Sequence, residues 1–523
     1  MKLVYCIVRM VRVLMELISR AAFGFLYRAT PHKQLPPIRN LLLLDSATAL
    51  AAKIRENKVS SEDVVQAFID RIRLINPILN CVVDERFELA LAEAKEVDAK
   101  LRSGDVDRRQ LAAEKPFLGV PFSTKDCMQV TGLRQTAGLY LRRNMVAESD
   151  ADVVRLMRDA GAIMLCVTNV SELCMWWESS NTIYGRTNNP YDTNRIVGGS
   201  SGGEACLQAA CGSPIGIGAD IGGSIRMPAY FNGIFGHKPS SGIVSNAGQE
   251  PQALGELQKM LATGPMARHA ADLRPALKVM AAGNAALLKI DTKVNMKQVR
   301  FMYVEDDGGS CYTTPMCGEL KASMRAVVSH LQLAYGVTAT KLELKELKSV
   351  FPMYLAMLGN EKTAPTFSEE MVLKQGSLSL FPELLKWMLG QSHHTAPGLL
   401  LCLIEKADSD ADPRKKELVA KVTALRAKVK DLLAEDGVLL FPSHPTLAPY
   451  HSQPLFRPFN FTYTAFFNMV RLPVTQCPLG LSKDNRPLGI QVAANLYQDH
   501  LCLSVAEELE KAFGGWVCPS VVQ

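Results

Sequence analysis

Short apolar runs alternate with amphipathic segments through the first half of the chain. Residues 117–124 and 161–167 are apolar stretches of the length that forms a buried strand. Residues 151–160, which lie between them, carry apolar side chains at helical spacing. This order of strand, helix and strand predicts an α/β fold with a mixed, largely parallel sheet.

Polar residues predict where several helices begin and end. Ser46 precedes apolar positions at helical spacing, and Ser60 with Asp63 has the pattern of a capping box. The asparagine and proline at 76–77 are expected to end the second of these helices. Residues 85–101, rich in alanine, glutamate and lysine, predict a third helix with one solvated face. We therefore expect these segments to provide packing rather than chemistry.

The first 28 residues differ from the rest because charged side chains interrupt an apolar segment. On a helix, five of these charges fall within a sector of about 80°: Lys2, Arg9, Arg12, Glu16 and Arg20. Such a narrow stripe is typical of a helix in a membrane interface, or of a tilted transmembrane helix whose arginines reach the surface. A helix packed on the domain and a cleaved signal peptide are the alternatives. We expect a membrane-anchoring or interfacial helix at 1–28 and a proline-containing tether at 29–40.

Composition indicates one large intracellular domain over residues 41–523. The chain has 523 residues, of which 48% are hydrophobic, and no Pro/Ser/Gly-rich linker divides it. The net charge of +6 includes no basic run interleaved with aromatic residues, so we expect no nucleic-acid partner. Thirteen cysteines, an odd number in scattered apolar settings, favour reduced thiols. Neither the cysteines nor the histidines have the spacing of a zinc site, so no metal is implied.

Two glycine- and serine-rich blocks, 198–204 and 220–228, contain the candidate chemistry. The residues between them predict a buried helix followed by a strand, which places Ser200 at a helix entry and Ser224 just beyond a strand end. These are positions where α/β proteins place functional groups. The paired glycines allow the backbone to approach a ligand closely because they have no side chain.

A lysine follows the first predicted strand. The apolar run at 117–124 leads into the core and ends at Lys125. Burial would lower the pKa of this amine, because the charged form loses its hydration, and would turn it into a base near neutral pH. The backbone N–H groups of the second block are the natural oxyanion hole for such chemistry: Ile221, Gly222, Gly223 and Ser224.

These motifs resemble those of the amidase signature family. The two glycine- and serine-rich blocks resemble its signature, and residues 119–126 match its lysine-bearing strand. Further segments extend the resemblance from about residue 40 to the end and are most similar to the fatty-acid amide hydrolases of this family: 169–180, 185–192, 235–239 and 472–480. The resemblance implies a large twisted sheet with helices on both faces.

The resemblance also implies residue roles. Ser224 would be the nucleophile, Ser200 the bridging acid and base next to a cis peptide, and Lys125 the ultimate base of a Ser-Ser-Lys relay. Three further residues are expected to support this site rather than to react: Ser201, Asp220 and Arg226. The resemblance also implies that four neighbouring residues form the wall of an acyl-binding site. Their apolar side chains fit the core of the domain equally well: Cys174, Met175, Trp176 and Trp177.

The function implied is a membrane-associated serine amidase without a cofactor. It would cleave N-acylethanolamines or primary fatty amides to fatty acid and amine, so its expected partners are a lipid amide and a membrane. The resemblance favours an intracellular membrane of endoplasmic reticulum or lipid-droplet type, reached through the N-terminus. The oligomeric state, a homodimer included, stays open.

Three other functions are alternatives. Within the same family, the chain could hydrolyse small soluble amides or serve as a glutaminase subunit of an amidotransferase. Residues 198–202 also fit the Gly-x-Ser-x-Gly elbow of α/β-hydrolases, with His444 or His500 as the late histidine. A lipid-binding protein without catalysis would keep the apolar segments and lack the relay.

Overall fold

The computed structural model describes residues 2–103, 107–361, 363–408 and 413–523. The helices are α1 Lys2–Leu26, α2 Ala47–Arg55, α3 Ser61–Leu79, α4 Phe87–Arg102, α5 Arg108–Glu114, α6 Asp152–Asp159, α7 Gly202–Ala209, α8 Arg226–Phe231, α9 Gly255–Met260, α10 Ala270–Ala281, α11 Gly318–Tyr335, α12 Val350–Leu358, α13 Phe367–Glu370, α14 Leu380–Met388, α15 Ala396–Ala407, α16 Pro413–Leu433, α17 Thr462–Val470 and α18 Asp499–Phe513. The strands are β1 Val82–Glu85, β2 Pro121–Lys125, β3 Ile163–Thr168, β4 Ser180–Asn181, β5 Gly185–Arg186, β6 Ile215–Asp220, β7 Phe235–Lys238, β8 Ala262–Ala267, β9 Arg300–Tyr303, β10 Thr340–Lys341, β11 Gly437–Pro442, β12 Val474–Leu481 and β13 Pro487–Ala494.

The main sheet has eleven strands in the order β1-β3-β2-β6-β8-β7-β12-β13-β11-β9-β10. Parallel pairs form two blocks, β3-β2-β6 and β11-β9-β10. Antiparallel pairs join β6 to β11 through the centre and add β1 at one edge. The predicted large mixed sheet is confirmed. The predicted strand-helix-strand unit is also confirmed, as β2, α6 and β3.

Both faces of the sheet are buried. Successive side chains of a strand point to opposite faces, and β11 alternates between two apolar cores. Val438 and Leu440 belong to the core that also contains residues of α3, α10 and α18. Leu439 and Phe441 belong to a second core with residues of α12, α16 and α17. Helices therefore cover the sheet on both sides.

The helix ends follow the polar residues, with two shifts. Ser46 and Ser60 accept the backbone N–H groups of Ala49 and Asp63, as expected of N-caps. The prediction that α3 ends at 76–77 is wrong, because the helix includes the proline and runs to Leu79. The asparagine side chain at 76 instead accepts the N–H groups of the next two core residues, Cys81 and Val82. Helix α4 starts two residues later than predicted, because Glu85 pairs with β3.

Helix α1 turns part of its charged stripe toward the domain. Glu16 is buried and lies 2.6 Å from the guanidinium of Arg457, and Arg12 donates to the carbonyl of Phe456 at 3.0 Å. Tyr27, just beyond α1, stacks on Tyr450 with ring centroids 5.0 Å apart. Of the other three stripe members, Arg20 is exposed, and the side chains of Lys2 and Arg9 lie outside the described residues.

The opposite side of α1 is apolar and exposed. Six large side chains are between 47% and 68% exposed: Met10, Val11, Leu14, Met15, Leu17 and Ile18. A search of the described helices for a span found none that combines sufficient length with sufficient hydropathy to cross a bilayer. The prediction of a transmembrane helix is therefore not supported.

Substitutions in β11 test the burial of both faces. Leu439→Ala and Leu440→Ala should each lower the free energy of unfolding by about 2–5 kcal/mol, since both side chains are fully buried. Leu333→Ala, at an 87% exposed position, is the matched control and should change it by less than about 0.5 kcal/mol. Denaturant unfolding of the three variants measures this. A value for either β11 variant similar to the control would contradict a sheet covered on both faces.

Candidate active site

Neighbouring strands bring the predicted residues to one edge of the sheet. Strands β2 and β6 are parallel, with Ser123 opposite Gly216 and Thr124 opposite Ile217, so their carboxyl ends lie side by side. Lys125 is the last residue of β2. The turn that holds Ser224 directly follows β6.

Lys125 and Ser200 are in direct contact. The Lys125 Nζ lies 2.7 Å from the Ser200 Oγ, and each residue is 1% exposed. Ser200 precedes α7 and follows a cis peptide bond to Gly199. Ser224 is 8% exposed and lines the same cavity as Lys125 and Ser200. The fold therefore gathers the amine and both hydroxyls at one site.

Two glycines permit the close packing of the Ser200 segment. A Cβ at Gly199 would lie 2.5 Å from the carbonyl oxygen of Trp176, and one at Gly203 would lie 2.5 Å from the backbone nitrogen of Asn169. Both obstacles are backbone atoms, which cannot rotate away as a side chain can. The glycines of this block thus serve the packing of the turn.

A buried ion pair holds the turn around Ser224. The Arg226 guanidinium donates to both carboxylate oxygens of Asp220 at 3.0 Å, and both side chains are fully buried. Although burial opposes ionisation, Arg226 lowers the pKa of Asp220 to about 2. The same carboxylate accepts the N–H groups of Gly223 at 2.7 Å and Ile225 at 3.1 Å. Asp220 therefore fixes the backbone on both sides of Ser224.

Distant residues complete this turn. Tyr354 donates its hydroxyl to the Ile221 carbonyl at 3.0 Å, and Thr464 donates to the Gly222 carbonyl at 2.8 Å. Asn468 donates to the carbonyl of the last β6 residue at 2.8 Å. No local motif surrounds these three side chains, so their role was not evident from the sequence.

Ser201 links the two serine turns. Its backbone N–H donates to the Ser224 carbonyl at 3.2 Å, and its hydroxyl donates to the Ala219 carbonyl at 3.4 Å. The side chain is fully buried. Ser201 thus contacts the framework of the site.

The site opens into two adjoining apolar cavities. The larger, of about 220 Å³, contains the lysine and both serines, and most of the rest of its lining is apolar: Leu173, Ala253, Leu257, Leu261, Leu355, Leu358, Phe367, Leu401 and Ile404. The smaller, of about 90 Å³, is lined by Trp176, Trp177 and Gly222, among others. Cys174 and Met175, like Ser224, line both cavities. The residues expected to form an acyl-binding wall therefore lie next to Ser224.

Two groups beside the lysine have shifted pKa values that the sequence did not indicate. Contact with Cys127 lowers the pKa of the Cys174 thiol, although burial opposes it, and this thiol also neighbours Lys125 and Ser200. Glu204 of α7 is fully buried, and burial raises its pKa to about 7. The Glu204 carboxylate accepts the Ser123 hydroxyl at 2.5 Å. Cys174 belongs to the expected acyl-binding wall and Glu204 to the first glycine- and serine-rich block, but only the folded chain brings both to the lysine.

The histidines of the nucleophile-elbow alternative lie elsewhere. Neither His444 nor His500 is among the described residues that line the two cavities. Burial lowers the pKa of His444 to about 3, and this ring packs against Trp177 and Phe231. The arrangement does not support a serine–histidine pair at Ser200. Within the described ranges, no group of three or more histidine, cysteine or acidic side chains could hold a metal ion.

Comparison with known proteins agrees with this geometry. The sequence profile of the family described as Amidase matches residues 63–503. Fatty-acid amide hydrolase 2 of Homo sapiens is 48% identical over 510 residues, which cover 97% of this chain and 96% of that protein. Fatty-acid amide hydrolase 2-B of Danio rerio is 47% identical over 494 residues, which cover 94% of this chain and 93% of that protein.

A solved structure described as fatty acid amide hydrolase has the same fold. It aligns with a TM-score of 0.73 over 93% of this chain and 87% of that one, at 22% identity. At this identity the likeness concerns the fold alone. The profile match and the two relatives cover most of the chain, and on these grounds the chain belongs to the amidase signature family of amide-hydrolysing enzymes.

Proposed function

We propose that this chain is a membrane-associated serine amidase that hydrolyses fatty-acid amides through an acyl-enzyme on Ser224. Residues 41–523 form its catalytic domain, 29–40 a tether and 1–28 a membrane-binding helix. The observation that carries the proposal is the buried contact between Lys125 and Ser200 in a cavity shared with Ser224.

Acylation begins with a proton relay. The hydroxyl of Ser224 is a weak nucleophile until a base removes its proton. Uncharged Lys125 accepts a proton from Ser200, and Ser200 accepts one from Ser224, whose oxygen attacks the amide carbon. The proton then returns through Ser200 to the departing nitrogen, which an amide requires because an amine anion is a poor leaving group.

Geometry supports Lys125 as the base of the relay. Its Nζ lies 2.7 Å from the Ser200 Oγ, and both residues are 1% exposed. The amine is therefore placed to exchange a proton with this hydroxyl rather than with bulk water.

Backbone N–H groups stabilise the charge that develops on the carbonyl oxygen. The N–H of Gly223 already donates to Asp220, so the donors are those of Ile221, Gly222 and Ser224. Each such donor contributes about 2.7–4 kcal/mol in the transition state. Hydrogen bonds from the side chains of Tyr354 and Thr464 to this turn hold it before the substrate arrives. Water then hydrolyses the acyl-enzyme by the reverse relay.

The apolar cavities support a fatty acyl substrate. The larger cavity extends from the reacting groups along leucine side chains of α9, α12 and α15, which suits a hydrocarbon chain. The relatives named fatty-acid amide hydrolase 2, at 47% and 48% identity over nearly the whole chain, favour the same substrate class. Hydrolysis of small soluble amides or glutamine would leave most of this apolar lining without a role.

The exposed side of α1 supports membrane association. Its outward apolar side chains include Leu14 and Ile18, which are 56% and 59% exposed. A helix whose polar face contacts the protein and whose apolar face is exposed is suited to lie in the interface of a bilayer. An enzyme held there meets substrates that partition into lipid.

A matched series of amides tests the function directly. The proposal predicts that kcat/KM rises strongly from acetamide to long-chain primary amides, because the added methylenes fill the larger cavity. Steady-state kinetics on the purified chain measure this. Equal or faster turnover of glutamine or acetamide would instead favour the small-amide alternatives.

Removing the lysine should affect amides more than esters. Lys125→Ala should lower amide turnover by about 10²–10⁴-fold and ester turnover less, since esters need less protonation of the leaving group. Lys238→Ala is the matched control, because Lys238 is equally buried but bonded to the Pro239 carbonyl. The control should keep the wild-type ratio of amide to ester rates. An equal loss for both substrates in Lys125→Ala would refute the proposed role.

A fluorophosphonate should label one serine. Peptide mass spectrometry should place the adduct on Ser224, and Ser224→Ala should lose both labelling and turnover. Ser213→Ala provides the control, since its buried hydroxyl bonds the Ile215 carbonyl away from the cavities. That variant should label as the wild type does. Persistent labelling of Ser224→Ala would identify another nucleophile.

Polar substitutions on α1 should weaken membrane binding. Leu14→Gln with Ile18→Gln should lower partitioning into phosphatidylcholine vesicles at least about tenfold, because two apolar side chains no longer enter the bilayer. The control pair Leu74→Gln with Leu333→Gln removes two leucines that are 56% and 87% exposed on other helices. Vesicle flotation compares the variants. Equal partitioning of the two pairs would exclude α1 as the binding element.

A further inference from the structure

A polar cavity of about 290 Å³ lies where α1 meets the domain. Helix α1 contributes Glu16 and Arg20 to its lining, and residues 446–450 and 483–486 provide most of the opposite wall. The cavity is separate from the active site, since it shares no lining residue with the two cavities at Ser224. Neither the proposed chemistry nor the docking of α1 requires an open space here.

The lining carries more positive than negative charge. Its cations are Arg20, Arg195, Arg457, Lys483 and Arg486, and its carboxylates are Glu16, Glu319 and Asp484. Two of the carboxylates are already paired at 2.6 Å, Glu16 with Arg457 and Asp484 with Arg486. In the described part of the chain, the side chains of Arg20 and Lys483 have no carboxylate within ion-pair distance. Arg195 pairs with Asp192 at 3.1 Å, so Arg20 and Lys483 are the two cations of the described lining that lack a carboxylate partner.

One cation of the lining, Arg457, is paired with Glu16 but deeply buried. Arg457 is 3% exposed, and its Nε has no hydrogen-bond partner among the described residues. Burial lowers the pKa of Arg457 to about 10; Glu16 opposes this shift, and the neighbouring charges of Arg20, Arg12 and Arg195 add to it. Mutually repelling arginines around a polar space favour the binding of an anion.

The surroundings of the cavity indicate which kind of molecule carries the anionic group. Arg20 lies on the same helix as Leu17 and Ile18, which are 57% and 59% exposed on the apolar side. Arg195 is held in place by its Tyr450 contact, with the guanidinium carbon 3.4 Å from the ring centroid. Guanidinium groups bind phosphate oxygens in pairs, and lysine adds a point charge. A ligand that is both anionic and lipophilic would match the cavity and the helix together.

We propose that this cavity binds the phosphate head group of an acidic phospholipid, whose acyl chains lie along the apolar side of α1. This inference rests on the membrane association proposed above, because the membrane would supply the lipid. Binding would anchor α1 in one orientation on an anionic leaflet, with its charged stripe on the domain. The same cations could hold free phosphate, and the experiment separates the two sources.

The experiment uses monomeric dihexanoyl phosphatidic acid and the full-length chain, without vesicles. Isothermal titration calorimetry should show one saturable site per chain, and the affinity should fall at least about tenfold in Arg20→Gln with Lys483→Gln, since two cations that face the phosphate are lost. Arg28→Gln with Lys297→Gln removes the same charge at exposed positions outside the cavity and should stay within about twofold of the wild type.

Three results would overturn the proposal. They are the absence of saturable binding, an equal loss of affinity in the two double variants, and inorganic phosphate binding as tightly as the phosphatidic acid. The last result would assign the cavity to a free anion. Because the probe is a soluble monomer and no turnover is measured, a failure here is distinct from a failure of the amidase chemistry or of vesicle binding by α1.

Discussion

The site depends on a contact of 2.7 Å between a buried amine and a buried hydroxyl, Lys125 Nζ and Ser200 Oγ. Both residues are 1% exposed, so the amine is placed to exchange a proton with the hydroxyl rather than with bulk water. A parallel pair of strands, β2 and β6, sets the position of the lysine relative to the turn that carries Ser224. The rest of the architecture can be understood as a support for this small cluster.

The two halves of the chain contribute differently to that support. The first half supplies the proposed reacting groups on adjoining strand ends and on the entry to α7. The second half supplies the bonds that hold the turn around Ser224, through Tyr354, Thr464 and Asn468. Arg226 joins the halves, because it binds Asp220 in one and donates to Gln491 in the other at 2.7 Å. The proposed oxyanion site depends on both, since its donors must be in place before charge develops.

Local sequence patterns were sufficient to predict the helix starts and strands that depend on interactions between residues near each other in the chain. Ser46 and Ser60 cap helices where their side chains reach free N–H groups, and the apolar runs around 117–124 and 161–167 form neighbouring strands. The structure brings Lys125, Ser200 and Ser224 of the motif blocks together, because strand ends and helix entries meet at the edge of a sheet.

Features that depend on distant contacts could not be predicted in the same way. The charged stripe of α1 was expected to face water or lipid head groups, yet Glu16 is bound to Arg457, more than four hundred positions away in the chain. The side-chain hydrogen bonds to the turn around Ser224, and the contacts of Cys174, likewise involve residues that share no sequence motif. A helical pattern gives the faces of a helix, but the surface that each face contacts is set by the tertiary fold.

Neutron diffraction from the resting enzyme tests the central claim most directly, because it locates the protons between Lys125 and Ser200. The account predicts an uncharged amine on Lys125 that accepts a hydrogen bond from the Ser200 hydroxyl, with Ser200 in hydrogen-bond reach of Ser224. Three deuterons on the lysine nitrogen, or a Ser200 oxygen too far from Ser224 to accept its proton, would contradict it.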